Sequence, residues 1–525
     1  MKRLLLLGLL ALPGTGARIA AGAAPFDPAK ADIAALRSAL DSGRISSEEL
    51  LRYYLRRIER FDKQGPRINA LITLNPQALE QARNADAHPP PVGSRNLLYG
   101  IPFIVKDNYD TAGVATSGGS AALEDSVPSA NAFVVQKLLD RGAILIGKAN
   151  MSELAASYGR LGYSSAGGLT LNPYNTARDA SGSSSGSAAA VAADFAPFAL
   201  GTDTTGSIRG PASVAGLVGL RPTLGLTSRS GIIPLSLSFD TAGILTRTVA
   251  DQAIVLEAIA APDPNDASTA RAPPTTSRYR EALDAGALKG ARLGVVRNFR
   301  GGNAEVDALG ESALRTLEAR GAVLVPIDLP EEFTRLWDSV VGPVGTAEFK
   351  PQFERYLRSL PPGQPRTLAE LIEISASAAV MKSAHPVNPL RLQALREADS
   401  TQLTDSPAYI RILTDLIPSL RRQLETLASR QRLRAFVFST MSCPASARFD
   451  RPDPTYVCHS DDPYKASYIA AATGFPEVTV PVDRVSANVP VGYSFLGLPY
   501  TESTLLSFAD AFQNARPRLP PPPLD

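Results

Sequence analysis

Ten consecutive positions, Ser181 to Ala190, carry no side chain larger than serine. Backbone this bare can approach other groups closely, which suits a tight loop running into a small-residue helix. A flexible Gly/Ser linker is the ordinary alternative. It fits poorly, because an Ala-rich helix (Ala188–Ala193) and a strand pattern (Phe195–Leu200) follow at once. The next nine residues, Gly201-Thr202-Asp203-Thr204-Thr205-Gly206-Ser207-Ile208-Arg209, wrap a Gly turn. Successive N–H groups around such a turn can form an anion-binding nest. A serine ending the nest is placed as a nucleophile whose oxyanion the same N–H groups hold. A plain Gly turn between elements remains open at this point.

A serine nucleophile needs a base. The three histidines are badly placed: His88 abuts prolines, His385 precedes Pro386 in a helical region, and His459 adjoins a cysteine. Two lysines stand out instead. Ile101–Val105 runs into Lys106, and Ala143–Gly147 runs into Lys148. Ends of parallel strands are where α/β sheets build sites, and a desolvated lysine loses pKa until it can accept a proton. Pattern alone does not choose between them.

The surroundings set the fold class. Residues 31–87 have helical spacing, with Ser46 or Ser47 as a cap and Leu50, Leu51, Tyr54, Leu55 and Ile58 on one face. Strand–helix–strand texture recurs at 101–149, around a helix at Phe133–Arg141, and again at Leu293–Val296 and Ala322–Ile327. Residues 330–432 are mostly helical and carry no evident catalytic motif. Ala435–Ser439 and Val478–Val482 resume the strand texture, and Thr501–Gln513 closes as a helix. The expected architecture is α/β: one large domain with a mixed, mainly parallel central sheet covered by helices on both faces. The expected segments are an N-terminal helical segment at 24–95 packed on the core, the main domain at 96–515 and a Pro-rich tail at 516–525.

Composition excludes other classes. Apolar residues make up 44% and charged residues 20%, so a sizeable core forms. A net charge of +2 argues against nucleic-acid binding. Met1–Ala23 has the form of a secretory signal: Lys2 and Arg3, the apolar run Leu4–Leu12, and Ala21-Gly22-Ala23. A buried N-terminal helix is the alternative. With export, the two cysteines, Cys443 and Cys458, are expected as a disulfide closing the Pro/Asp/Arg-rich loop Pro444–Val457. No metal cluster, cofactor motif or membrane anchor is indicated.

The residues then resemble a known family, the amidase signature family. Gly182-Ser183-Ser184-Ser185-Gly186-Ser187-Ala188-Ala189-Ala190 and Gly201–Arg209 are similar to its signature. Gly100–Asn108 resembles its catalytic-lysine segment. Thr116-Ser117-Gly118-Gly119-Ser120, Gly147–Glu153, Gly219–Thr223 and Pro490-Val491-Gly492-Tyr493 fit as well. The likeness runs from about residue 31 to 515, strong over 97–256 and weak over 290–432. It implies a triad of Ser207 as nucleophile, Ser183 after a cis peptide bond, and Lys106 as base. Neutral Lys106 would take a proton from Ser183, which takes one from Ser207; Ser207 attacks the amide carbonyl, and water releases the acid. The N–H groups of Thr204, Thr205, Gly206 and Ser207 would hold the oxyanion, although Thr205 departs from the Gly-Gly often found there. Ser117, Gly118 and Gly210 are expected to face the substrate, with Gly210 leaving space and no charge. Lys148 and Glu153 then read as structural.

Three alternatives compete. Gly182–Gly186 also satisfies G-x-S-x-G, which would make Ser184 the nucleophile of an α/β-hydrolase-type esterase with His385 or His459 as base; turn-like Asn172–Thr176, rather than a strand, precedes it. An inactive exported binding protein is the second. The third, within the family, is the amidase-type component of an aminoacyl-tRNA amidotransferase, which the leader disfavours. The texture is most similar to exported bacterial peptide amidases, which implies a small-molecule or peptide amide as partner and a periplasmic or secreted location. Expression in a Gram-negative host tests the leader directly. The mature chain should start near Ala24 and appear in the periplasm; cytoplasmic protein retaining Met1–Ala23 would contradict export.

Overall fold

The computed structural model describes residues 26–91, 94–273 and 278–524. The leader pattern at 1–23 lies outside the described residues. Thirteen strands are described: β1 (Leu71–Leu74), β2 (Pro102–Lys106), β3 (Ile144–Ala149), β4 (Tyr163–Ser164), β5 (Gly168–Leu169), β6 (Phe198–Asp203), β7 (Val218–Arg221), β8 (Thr241–Thr246), β9 (Arg292–Val296), β10 (Val323–Ile327), β11 (Ala435–Ser439), β12 (Glu477–Arg484) and β13 (Pro490–Leu496). Eleven form one sheet in the order β1-β3-β2-β6-β8-β7-β12-β13-β11-β9-β10; β4 and β5 pair separately.

The sheet is mixed and flanked by helices, as the sequence texture implies. Its parallel pairings fall in two blocks, β3-β2-β6 and β11-β9-β10. Antiparallel pairings join the blocks and attach β1. The strand–helix–strand texture marks the two blocks, where a crossover helix is needed. It does not report on β7, β8 and β13, which join through antiparallel neighbours. Every residue of β2, β3, β6, β7, β8 and β13 is buried, so both faces of the sheet are covered.

The N-terminal segment forms helices Ile33–Asp41, Ser47–Phe61 and Ala78–Ala87. Ser46 caps the second in a capping box with Glu49, and Leu50, Leu51, Tyr54 and Ile58 are buried along one face. The helical reading of 31–87 fails at Leu71–Leu74. That stretch is an edge strand paired with β3, held by tertiary contact: it is too short for any periodicity to show.

The small-residue stretch is enclosed. Helix Ser185–Ala192 is buried at every position. A Cβ on Gly186 would lie 2.3 Å from Ala70 O and 2.4 Å from Asn150 O, so only glycine admits those backbones. Ser184 and Ser187 donate their hydroxyls to Thr202 O and Leu200 O of β6, at 3.1 and 3.0 Å. The helix runs back along β6, which places Ser183, just before it, near the C-terminal ends of β2 and β6.

The expected disulfide joins Cys443 and Cys458. Its loop grips the chain that leads to Ser183. Arg178, 1% exposed, pairs with Asp453 at 2.8 Å and donates to Thr455 Oγ1 and Ala445 O. Asp179 N–H donates to Ser446 O, and the Ser446 hydroxyl donates to the Asp179 carboxylate. Among the described residues no helix is long and apolar enough to cross a membrane. Closing a loop of this length stabilises a fold by roughly 3 kcal/mol. The Cys443→Ser/Cys458→Ser double variant should lose about that much in chemical denaturation; a variant as stable as wild type would show that the loop is held without the bond.

Candidate active site

Register separates the two lysines. In the parallel β2/β3 pair, Val105 stands opposite Lys148 and Lys106 opposite Ala149. Side chains alternate along a strand, so Lys106 and Lys148 point to opposite faces of the sheet. Lys106 donates to Ser183 Oγ at 2.8 Å and to Thr202 Oγ1 at 2.7 Å. Lys148 donates to Tyr109 O, Thr116 Oγ1 and Ala115 O, and lies 3.4 Å from Asp107. It braces the 107–116 turn, in keeping with a structural role.

Lys106 has no solvent exposure. Burial brings its pKa down from 10.5 to about 7, against the opposing pull of Asp203 and Asp240. Asp107, its sequence neighbour, turns away: its carboxylate accepts from the Ser117 hydroxyl and from the N–H groups of Ser117 and Gly119. Asn108 Nδ2 donates to the same Thr202 hydroxyl at 3.0 Å, fixing the acceptor that Lys106 uses. Thr202 and Asn108 were not singled out by the sequence, although both lie inside the quoted segments.

The Gly182–Ser183 peptide bond is cis. Ser183 and Ser207 both line one cavity of about 590 Å³, within the range of small-ligand pockets. Ser207 is 8% exposed. The turn that carries it is shaped by Asp203, whose carboxylate accepts from Gly206 N–H at 2.9 Å and Ile208 N–H at 3.0 Å. Burial alone would raise the pKa of Asp203. Arg209 and Arg221, each 2.9 Å away, overcome that and hold it far below the usual carboxylate range. Arg209 also pairs with buried Glu477 at 2.6 Å. Two arginines and two carboxylates thus pair with one another out of contact with the surface, a geometry that is costly to break because one lost partner strands a buried charge.

At four of the expected positions the structure shows neighbours that the motif does not reveal. The Gly206 N–H donates to Asp203, while Thr204, Thr205 and Ser207 line the cavity as candidate oxyanion donors. Ser117 does not line the cavity; Asp107 draws it inward. Gly118 is walled off, since Leu154 and Ile233 would lie 2.8 and 2.9 Å from a Cβ there. Gly210 leaves no open space: Tyr464 fills it, its ring 2.7 Å from the Cβ position, while Tyr464 itself lines the cavity.

Ser184 gives its hydroxyl to Thr202 O, is fully buried and lies outside the cavity wall. None of His88, His385 and His459 lines the cavity. Glu153 accepts from the Ser165 hydroxyl and N–H, and burial raises its pKa. The far wall comes from 330–432, where the sequence offered no motif. Trp337, Val341, Gly345 and Phe349 face it from one helical run, and Arg391, Ala394 and Ala398 from helix Pro389–Asp399.

A buried amine whose pKa is brought down to about 7 and which is bonded to a hydroxyl, a second serine in the same cavity and N–H groups beside it are the parts of an acyl-transfer site. A family model described as Amidase matches residues 49–506. A glutamyl-tRNA(Gln) amidotransferase component of Acinetobacter baylyi is 34% identical over 497 residues, covering 91% of this chain and 94% of that protein. A probable amidase of Arabidopsis thaliana is 32% identical over 501 residues, covering 93% and 91%. Among solved structures, the peptide amidase of Stenotrophomonas maltophilia superposes with TM-score 0.83 at 38% identity, covering 95% of this chain and 99% of that one. An amidase family protein of Bacillus anthracis gives 0.81 at 31%, covering 94% and 92%.

The lysines give a paired test. Turnover should rise through neutral pH and level off as Lys106, near pKa 7, loses its proton. Lys106→Ala should lose at least ~100-fold in turnover. Lys148→Ala should keep the pH profile and lose roughly 3 kcal/mol of stability, since Asp107 is left without its cation. A folded Lys148→Ala without activity beside an active Lys106→Ala would reverse the assignment.

Proposed function

This chain belongs to the amidase family and is a serine amidohydrolase, and on that premise we propose that it removes the terminal amide from C-terminally amidated peptides through an acyl-enzyme on Ser207. The observation that carries the reading is the 2.8 Å hydrogen bond from buried Lys106 to Ser183, in the cavity that Ser207 also lines. Neutral Lys106 accepts the Ser183 proton as Ser183 accepts that of Ser207. The Ser207 oxygen attacks the amide carbonyl, and the Thr204, Thr205 and Ser207 N–H groups receive the oxyanion. The chain returns a proton to departing ammonia. Water then takes the place of the amine and frees the acid.

The peptide-amide reading is supported by the likeness to the solved peptide amidase over nearly the full length of both chains. The amidotransferase component shares about as much sequence, but the leader pattern at Met1–Ala23 favours an exported hydrolase working alone. A disulfide suits an oxidising compartment and points the same way.

Purified protein is offered peptide amides, aryl amides, fatty amides and small aliphatic amides, with ammonia or amine release as readout. Peptide amides should be cleaved fastest. Ser207→Ala should lose at least about a thousandfold, whereas Ser184→Ala should stay within about tenfold of wild type. A fluorophosphonate adduct on Ser184 instead of Ser207 would overturn the mechanism; a clear preference for another amide class would overturn the substrate.

A further inference from the structure

Five arginines are buried among the described residues: Arg37, Arg178, Arg209, Arg221 and Arg391. The first four each hold a carboxylate. Arg391 does not. It stands in the first turns of helix Pro389–Asp399, is 3% exposed, and lines the same cavity as Ser183 and Ser207. Its Nε has no hydrogen-bond partner, its Nη2 donates to Leu154 O at 3.3 Å, and the Tyr158 hydroxyl is a hydrogen-bonding neighbour. The rings of Tyr158 and Phe349 lie 5.4 and 5.1 Å from the guanidinium carbon, and both residues also line the cavity. Burial lowers its pKa, opposed by Tyr158 and Glu153. Glu153 spends its oxygens on Ser165.

A guanidinium does not shed its proton to escape burial, as a lysine does. A buried cation needs an anion or a full set of acceptors. The aromatic contacts orient the planar group but leave Nε without an acceptor, and a carboxylate matches its paired N–H geometry. Gly210, beside the nucleophile, supplies no charge; Arg391 supplies one from the opposite sequence region. We propose that Arg391 is a specificity residue that receives a substrate carboxylate, so that the preferred amides carry an anionic group on the acyl side of the scissile bond. The proposal rests on the assignment of the cavity to the acyl group of the amide.

Phenylalaninamide capped at its amine with succinyl, glutaryl or adipoyl groups is compared with neutral alkanoyl caps of matching length. Ammonia release from the neutral set reports on the peptide-amide reading by itself; the difference between sets reports on Arg391. Wild type should favour the best carboxylated cap by at least about tenfold in kcat/KM. Arg391→Met should bring the two sets within about threefold, because the carboxylated set slows by more than the neutral set. No preference in wild type at any cap length overturns the proposal without any variant. So does a preference that survives in Arg391→Met, or an equal loss on both sets, which would make Arg391 a brace for the Leu154–Tyr158 loop.

Discussion

The fold is arranged around the desolvation of one amine. Lys106 ends a strand buried on both faces and is itself without solvent exposure. In water a lysine is protonated at neutral pH and cannot serve as a base. Removing solvent supplies the driving force, and two aspartates limit it: Asp203 and Asp240 pull the pKa back up, so that it settles near 7. The balance is set by distance and by what those carboxylates are already doing. Asp203 is held by two arginines, and Asp240 accepts from the Thr204 hydroxyl and from the Leu235 and Ser236 N–H groups. Their pull on Lys106 is correspondingly partial.

Small residues make that burial possible. The helix Ser185–Ala192 lies against β6 through serine hydroxyls and admits backbone at Gly186. Larger side chains would lift it away and let water reach Lys106. The same economy governs the turn before Ser207, where Asp203 captures two N–H groups and Gly206 takes a φ of 116° with Ser467 close beside it. On the other side, the disulfide loop anchors Arg178 and Asp179, whose carboxylate in turn accepts the Ser181 N–H at 2.9 Å. Both serines are therefore delivered by segments pinned through buried charge or hydrogen bonds.

What could be read in the sequence follows from this. Lys106, Ser183 and Ser207 sit in contiguous motifs, and the structure brings Lys106 to Ser183 and both serines to one cavity. Choosing Lys106 over Lys148 from residues alone was not possible, because the choice lies in the β2/β3 register. Position in the motifs points Ser117, Gly118, Gly206 and Gly210 to substrate or oxyanion, but Asp203 takes the Gly206 N–H within its own turn, and Asp107, Leu154 and Tyr464 reach the other three from outside theirs. The cavity wall at Trp337–Phe349 and Arg391–Ala398 was invisible for the same reason. Its residues form an ordinary helical stripe until two helices meet over the serines.

The central claim is that Lys106 is a neutral amine at working pH. The chain has ten lysines. Protein carrying ¹³C at lysine Cε, with the Lys106 signal identified by its loss in Lys106→Arg, can be titrated by NMR. The account predicts that this signal moves with a midpoint near pH 7. A Lys106 signal that stays in the charged position until pH 10 would contradict it.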